Sequence, residues 1–567
     1  MPFAGHFNSA PQANEAVARA VRKFESLAAS KKCAGSLFIL LLAYMAYSST
    51  RGIPVYDEGL LCYGAERVLA GDIPYRDFWT AYGPGQYYLL AGVFKAFGTS
   101  LLVARMYCVF VEWIVAILAY SLTRTLTGPI GGVMSCVMVA VWLNCDRIVL
   151  YPVIPALAFV LAGFLLLAYP SSSHVLLAGM LTGCATLVRH DLGVYAFVVQ
   201  TAIIIGISFL GPTSGSEKAL VGGGGRFKPF LFYLVGGSAV VLPVLLALTR
   251  AIPHRILYET FIDFPTHIYL EFRSLPFPRL HDLGLVFGLV YGLPLLILGA
   301  SAILLLIRWH RRDRNVQDWL AAGLVLFGIA VYLTVRVRPD IAHMVLPMVP
   351  PLILVPWLVR LMIVSGTNRF LRVSFSIFVS MCVGLLTVVC TANNILPRLK
   401  GDAANFVPIG IDRAKGISMR KNADGFVEAV HYIQDKTLAG EPIYVGNTQH
   451  DRIWINNVMF YFLSGHRSAT RFADLNPGVA TTFNVQSEII EEIKRQKVTY
   501  VVLWNAPLSS EPNRSAESSG VTSLDDFIKA NYEPIAEFGN YVILRSSARG
   551  TFVSKVQCNG AERESGH

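Results

Sequence analysis

Apolar residues in this chain come in long blocks rather than in the short alternating runs of a soluble fold. A helix needs about 20 mostly apolar residues to cross a bilayer. Blocks near that length recur at 34–49, 101–121, 128–145, 152–169, 174–188, 192–211, 230–250, 284–307, 319–335, 344–363 and 373–393. The pattern predicts about eleven membrane spans. Polar residues fill three other stretches: 1–33, a long first loop at 50–100, and a tail from 398 onward. Residues 1–33 hold no apolar core of a cleaved signal, so they are expected to stay on the cytoplasmic side. In the first loop, DEGLLCYGAERVLAG (57–71) has amphipathic helical spacing. QYYLLAGVFKAFG (86–98) is too short to span and suits an interfacial helix.

The tail reads differently. DGFVEAVHYIQDK (424–436) and VQSEIIEEIKRQ (485–496) repeat apolar residues at helical spacing. EPIYVG (441–446), TYVVLW (499–504) and YVILR (541–545) read as buried strands. The expected fold class is mainly α. A multi-pass helical bundle at 34–397 carries interfacial helices in its first outer loop, and a small soluble α/β domain follows at 398–567.

Composition narrows the class. Only 15% of the 567 residues are charged, against about a quarter in a soluble domain, which excludes a soluble enzyme and a disordered scaffold. The net charge of +11 would suggest nucleic acid if it were spread evenly. It is not: the stretch 398–567 holds 19 basic and 19 acidic residues, so the whole excess lies in the membrane part. Basic residues in short membrane loops set topology and meet anionic lipid, and no nucleic-acid partner is implied. Basic loops at 218–230, 308–314 and 368–372 fall on the side of the N-terminus, and an odd number of spans puts the tail on the outer face. The nine cysteines lie mostly in apolar stretches, without CxxC or zinc-finger spacing.

Candidate chemistry gathers on the outer side. The first outer loop carries Asp57, Glu58, Glu66, Asp72 and Asp77, with Arg51, Arg67 and Arg76 among them. An acidic pair at a helix start is also what a plain surface helix favours, so Asp57-Glu58 alone decides nothing. Three other clusters project to the same side: Cys145-Asp146-Arg147, Arg189-His190-Asp191, and Arg338-Pro339-Asp340 with His343. Arginines at a lipid boundary match phosphate oxygens, which makes Arg76, Arg189 and Arg338 candidates for a donor phosphate. A nearby carboxylate suits a general base. Asp77, Asp146, Asp191, His190, Asp340 and His343 are candidates for a second acidic or acceptor-side role. The loop 251–283, with His254, Arg255, Glu259, Asp263, His267 and Arg273, is a candidate acceptor-side lid.

The stretch YDEG…ERVLAGDIPYRDFW…GPGQYYLLAGVFKAFG (56–98), followed by Arg105 in the next span, resembles bacterial members of the protein O-mannosyltransferase superfamily. That superfamily includes the lipid A aminoarabinose transferases, and its fold is called GT-C. RPDIAHMVLPMVPPLILV (338–355) and VGNTQHDRIWINNVMFYFLSGHRSATRF (445–472) are similar to its relatives as well. The resemblance implies inverting transfer of one sugar from a polyprenyl-phosphate donor to a cell-envelope acceptor, at the outer face of the cytoplasmic membrane. It implies Asp57 as catalytic base with Glu58 beside it, and Arg189 near the donor phosphate. It implies no nucleotide sugar and no obligatory metal; a divalent cation at the acidic loop stays open. The chain departs from the pattern at YPVIPALAF (151–159), which lacks the second acidic residue that relatives often carry at the fourth span.

Two other functions fit the composition. A lipid or polysaccharide transporter or flippase would also have many spans, but it predicts pseudo-symmetric halves, and no internal repeat is visible. An oligosaccharide ligase would share the GT-C fold and differ in acceptor.

Overall fold

The computed structural model describes residues 26, 28 and 30–547, apart from 146–152, 170, 211–224, 280, 282–283, 312–314, 365–368, 400–404 and 422–423. The chain divides into two compact units, 1–421 and 422–567.

The first unit is helical. It begins with α1 (Lys31–Ser48), then the loop helices α2 (Asp57–Leu69) and α3 (Gly85–Phe97). The bundle continues with α4 (Leu101–Thr127), α5 (Pro129–Leu143), α6 (Val153–Leu167), α7 (Ser172–Val188), α8 (His190–Leu210) and α9 (Lys228–Ala251). A short helix α10 (His254–Tyr258), a π-helical stretch Glu259–Ile268 and α11 (Tyr269–Arg273) follow. The last four helices are α12 (Leu285–His310), α13 (Val316–Thr334), α14 (Ile341–Val364) and α15 (Arg369–Leu399). Among the described residues, seven helices are long and apolar enough to cross a membrane. The apolar helices α5, α6 and α7 are shorter, and α1 begins on the polar pair Lys31-Lys32. Each apolar block of the sequence thus became one helix. The protein is an integral membrane protein of mainly α class.

Local chemistry explains how these helices pack. α14 contains Pro347, Pro350, Pro351 and Pro356, and each proline deprives the carbonyl four residues earlier of its donor. In a membrane a neighbouring helix must supply the missing partner. Ser135 Oγ on α5 donates to Leu352 O at 2.7 Å, the carbonyl that Pro356 leaves open. Thr123 Oγ1 on α4 and Trp142 Nε1 on α5 donate to the neighbouring carbonyls of Ile353 and Val345. α7 and α9 approach closely through small residues, as membrane helices do without a hydrophobic drive between them. A Cβ on Gly179 would stand 2.1 Å from Tyr233 O, and one on Gly236 equally close to Leu176 O.

After α15 the first unit closes with a hairpin of β1 (Phe406–Pro408) and β2 (Ser418–Arg420). The second unit holds a five-stranded sheet of β3 (Pro442–Asn447), β4 (Arg467–Ser468), β5 (Tyr500–Trp504), β6 (Tyr532–Phe538) and β7 (Tyr541–Ser546), in the order β4-β3-β5-β7-β6. β3 pairs parallel with β4 and β5, while β7 runs antiparallel to β5 and β6. The helices α16 (Phe426–Lys436), α17 (Met459–Ser464), α18 (Phe483–Arg495) and α19 (Ser523–Asn531) complete it. The small α/β domain expected from the tail is present.

Candidate active site

α2 starts on two adjacent carboxylates, which its N-terminal dipole favours. They face different surroundings. Glu58 is 1% exposed and Arg105 on α4 is 0% exposed. Arg105 Nε and Nη2 donate to the two Glu58 oxygens at 2.8 and 2.7 Å. The same guanidinium donates to Ser49 O and Gly52 O, each at 2.8 Å. Both oxygens of Glu58 are therefore held by this pair.

Asp57 is half-buried and accepts a hydrogen bond from Tyr82 Oη at 3.2 Å. Burial pushes its carboxyl above the usual range. The Tyr82 hydrogen bond and the nearby His343 and Arg273 work the other way, and Asp340 adds to the upward push.

Tyr82 also lines a cavity of about 440 Å³. Its walls include Arg189, His190 and Asp191 at the α7–α8 junction, Thr260 and Phe264 of the π-helical stretch, and Arg338 and His343 near the start of α14. Five residues far apart in sequence and singled out there thus meet in one place: Arg189, His190, Asp191, Arg338 and His343. Arg189 is the C-cap residue of α7, and its Nε and Nη2 donate to Asp191 at 2.9–3.1 Å. His190 stands edge-on to Phe261, with ring centroids 5.8 Å apart, and its Nδ1 is buried without a hydrogen-bond partner among the described residues. Arg338 donates to Asp340 Oδ2 at 2.9 Å and to Arg273 O at 2.8 Å. His343 Nδ1 lies 2.6 Å from Asp340 Oδ1, which also accepts from the His343 backbone N–H. Burial works against ionisation of Asp340, but its His343 and Arg338 contacts outweigh it and hold the carboxyl below its usual range.

Other candidates fall elsewhere. Arg76 and Asp77 pair with each other at 2.7 Å near the surface and do not line the cavity. The Arg76 hydrogen bond holds the Asp77 carboxyl below its usual range. Asp77 also accepts from Ile73 N, so the pair closes the turn after α2. Asp146 lies outside the described residues.

The 251–283 loop contributes a wall. Pro265 lies inside its π-helical stretch, and proline's missing N–H and ring clash break regular helical bonding at that point. Phe261 packs on Tyr75 and Phe264 on Trp79, at 5.1 and 5.4 Å between ring centroids. At the end of α11, Arg273 is 7% exposed, with its guanidinium 5.9 Å from the centre of the Tyr56 ring. No carboxylate lies within ion-pair distance of it among the described residues. Sequence patterning marks Arg273 only as a lid residue and does not mark Tyr82 as a site residue. The signal available for both was their place in loops too long and too rich in aromatics for plain connectors.

A second cavity of about 440 Å³ is mostly apolar and includes Ile73, Pro84, Tyr88, Leu187, Val244 and Leu248 in its lining. A thin wall separates it from the polar one. A Cβ on Gly83 would stand 2.5 Å from Val188 O, and one on Gly85 2.9 Å from Leu187 C. The loop 83–85 therefore rests directly on the last residues of α7, which is capped by Arg189. Among the described residues no group of three or more His, Cys, Asp or Glu could hold a metal ion.

A helical bundle with two helices in its first loop and a terminal α/β unit gives the chain the fold class called GT-C, which it shares with the solved structures named next. No family model and no curated protein sequence matches the chain. Among solved structures it is similar to ArnT from Cupriavidus metallidurans in the apo state, with a TM-score of 0.55 and 12% identity over 90% of this chain and 97% of that one. The same protein bound to undecaprenyl phosphate gives a TM-score of 0.54 and 11% identity, over 92% and 99%. The apo oligosaccharyltransferase of Archaeoglobus fulgidus gives 0.50 and 13%, over 82% and 69%. At these identities the likeness is one of fold.

Proposed function

We propose that the protein transfers a sugar from a polyprenyl-phosphate donor to a lipid, glycan or protein acceptor at the outer face of the cytoplasmic membrane. One observation carries this reading: the half-buried carboxylate of Asp57 is bonded by Tyr82, which lines a cavity together with Arg189 and Arg338, and a thin wall parts that cavity from an apolar one. A lipid-linked phosphate sugar needs both environments, one for its head and one for its tail. Arg273, with no carboxylate in ion-pair distance among the described residues, binds the donor phosphate, and Arg189 and Arg338 add positive charge around it. Asp57 takes the proton of the acceptor hydroxyl. The acceptor oxygen bonds to the anomeric carbon as the carbon–oxygen bond to phosphate breaks. The electron pair leaves on the phosphate, and configuration inverts. Tyr82 holds Asp57 toward the cavity, and Glu58 anchors the helix rather than moving a proton. The ArnT complex with undecaprenyl phosphate supports the donor class.

The test is turnover in liposomes with a panel of undecaprenyl-phosphate monosaccharides, hexose and pentose, scored by release of undecaprenyl phosphate. Wild type is expected to release it from at least one donor. Asp57→Asn is expected to lose roughly 10²–10⁴-fold in rate, the usual worth of a general base, while staying folded and inserted. Full turnover by Asp57→Asn rules the base out.

A further inference from the structure

The hairpin of β1 and β2 returns from the last span to the loop that carries Asp57. Ser418 N donates to Thr50 O at 3.0 Å, and Gly52 N donates to Ser418 O at 2.9 Å. The Arg51 guanidinium sits 5.1 Å from the centre of the Phe406 ring. At the hairpin tip, Arg413 grips Glu66 with two contacts, Nη1–Oε2 at 2.9 Å and Nη2–Oε1 at 2.7 Å. Glu66 belongs to α2, the helix that begins at Asp57.

These contacts reach α2 from both directions. The stretch 49–52, which the hairpin pairs with, supplies the two carbonyls that orient Arg105. Arg105 in turn holds Glu58, the neighbour of Asp57. Arg413 holds the far end of the same helix. α2 has 13 residues and no side-chain cap at its N-terminus. A helix that short is marginal without tertiary support, so its position is set by what grips it.

We propose that the hairpin 406–420 is a positioning clamp for Asp57, with Arg413 and Glu66 as its positioning residues. The inference rests on the base role proposed for Asp57. Both side chains are about a quarter exposed, and pairs at that depth add little to global stability. Their effect falls instead on placement. A displacement of about 1 Å at a reacting group can cost on the order of 100-fold in rate.

The experiment is a charge swap in the full-length protein: Arg413→Glu, Glu66→Arg, and both together. Turnover of the undecaprenyl-phosphate monosaccharide used by wild type is measured beside hydrogen exchange of residues 57–69. Each single variant puts like charges face to face. The expected result is roughly tenfold lower kcat at unchanged KM for the donor, a fraction of the full misplacement cost, with faster exchange across α2. The double variant is expected to recover both within about threefold, since reversed charges attract as well as the original pair. Ser418→Pro, which removes the donor to Thr50 O, is expected to reproduce the single-variant behaviour. Wild-type kcat and exchange in the single variants overturn the clamp, as does a double variant that recovers neither. A kcat loss that tracks global thermal stability, with α2 exchange unchanged, also overturns it. Failure of the base role itself is read separately, from turnover by Asp57→Asn, because the exchange measurement does not depend on activity.

Discussion

Asp57 and Glu58 are neighbours in sequence and opposite in surroundings. Glu58 lies in a fully buried pair with Arg105, and removing one member of such a pair costs about 3–5 kcal/mol because the other charge is left alone. Asp57 accepts a hydrogen bond from Tyr82, a residue of the cavity wall. No sequence pattern separates the two roles, since either carboxylate suits a helix start; only the side toward which each turns decides. The raised pKa of Asp57 has two consequences. A base must be ionised, so the acid limb of the kcat/KM profile is expected above the ordinary aspartate value of about 3.9. A limb at or below that value contradicts the assignment. Stability carries the same sign. Between its unfolded and native pKa values the native state binds more protons, so stability falls as pH rises through that window. Asp57→Asn removes this slope, so thermal unfolding at neutral pH is expected no lower for the variant than for wild type, and higher if the fold is otherwise intact.

At the scale of elements, the apolar blocks specified nearly every helix, because a bilayer forces the backbone to satisfy itself within each segment. The π-helical stretch and the β1–β2 hairpin were not legible. The first lies in a loop with a proline and mixed polarity, and the second in two strands of three residues. β6 was missed because it lies on the edge of the sheet and carries Glu533, Pro534 and Glu537, a pattern that guards an edge and hides a strand. The loop–helix contact at Gly83 yields a prediction of its own. Gly83→Ala would drive a Cβ into Val188 O, a backbone atom that cannot turn aside. The expected outcome is a shifted α7 end, and with it Arg189, seen as weaker undecaprenyl phosphate binding and a lower melting temperature. Gly92→Ala, with open space around it, is the matched control and is expected to change neither. Equal behaviour of the two variants would remove the wall from the account.

On the scale of the molecule, two cavities share one wall, and each makes a separable demand. Val244→Trp fills part of the apolar cavity. It is expected to weaken binding of undecaprenyl phosphate several-fold, in keeping with loss of buried apolar contact. Binding of a ten-carbon prenyl phosphate is expected to stay within about twofold, since its short tail has little apolar surface to lose. Loss of both to the same extent would mean the cavity does not hold the tail. Orientation is the other whole-molecule prediction. Basic loops at 218–230, 308–314 and 368–372 favour the cytoplasm, so alkaline-phosphatase fusions after residue 421 are expected to be active; inactive fusions would reverse the topology.

The sequence by itself determined the membrane class, the helix order and the α/β character of the tail, because hydropathy and charge act locally along the chain. It could not determine that Arg189, His190, Asp191, Arg338 and His343 share one cavity while Arg76 and Asp77 close a turn. Nor could it show that Glu58 is held by Arg105 or that a hairpin grips α2. Those outcomes depend on contacts between residues tens to hundreds of positions apart, and periodicity carries no information about which distant faces meet.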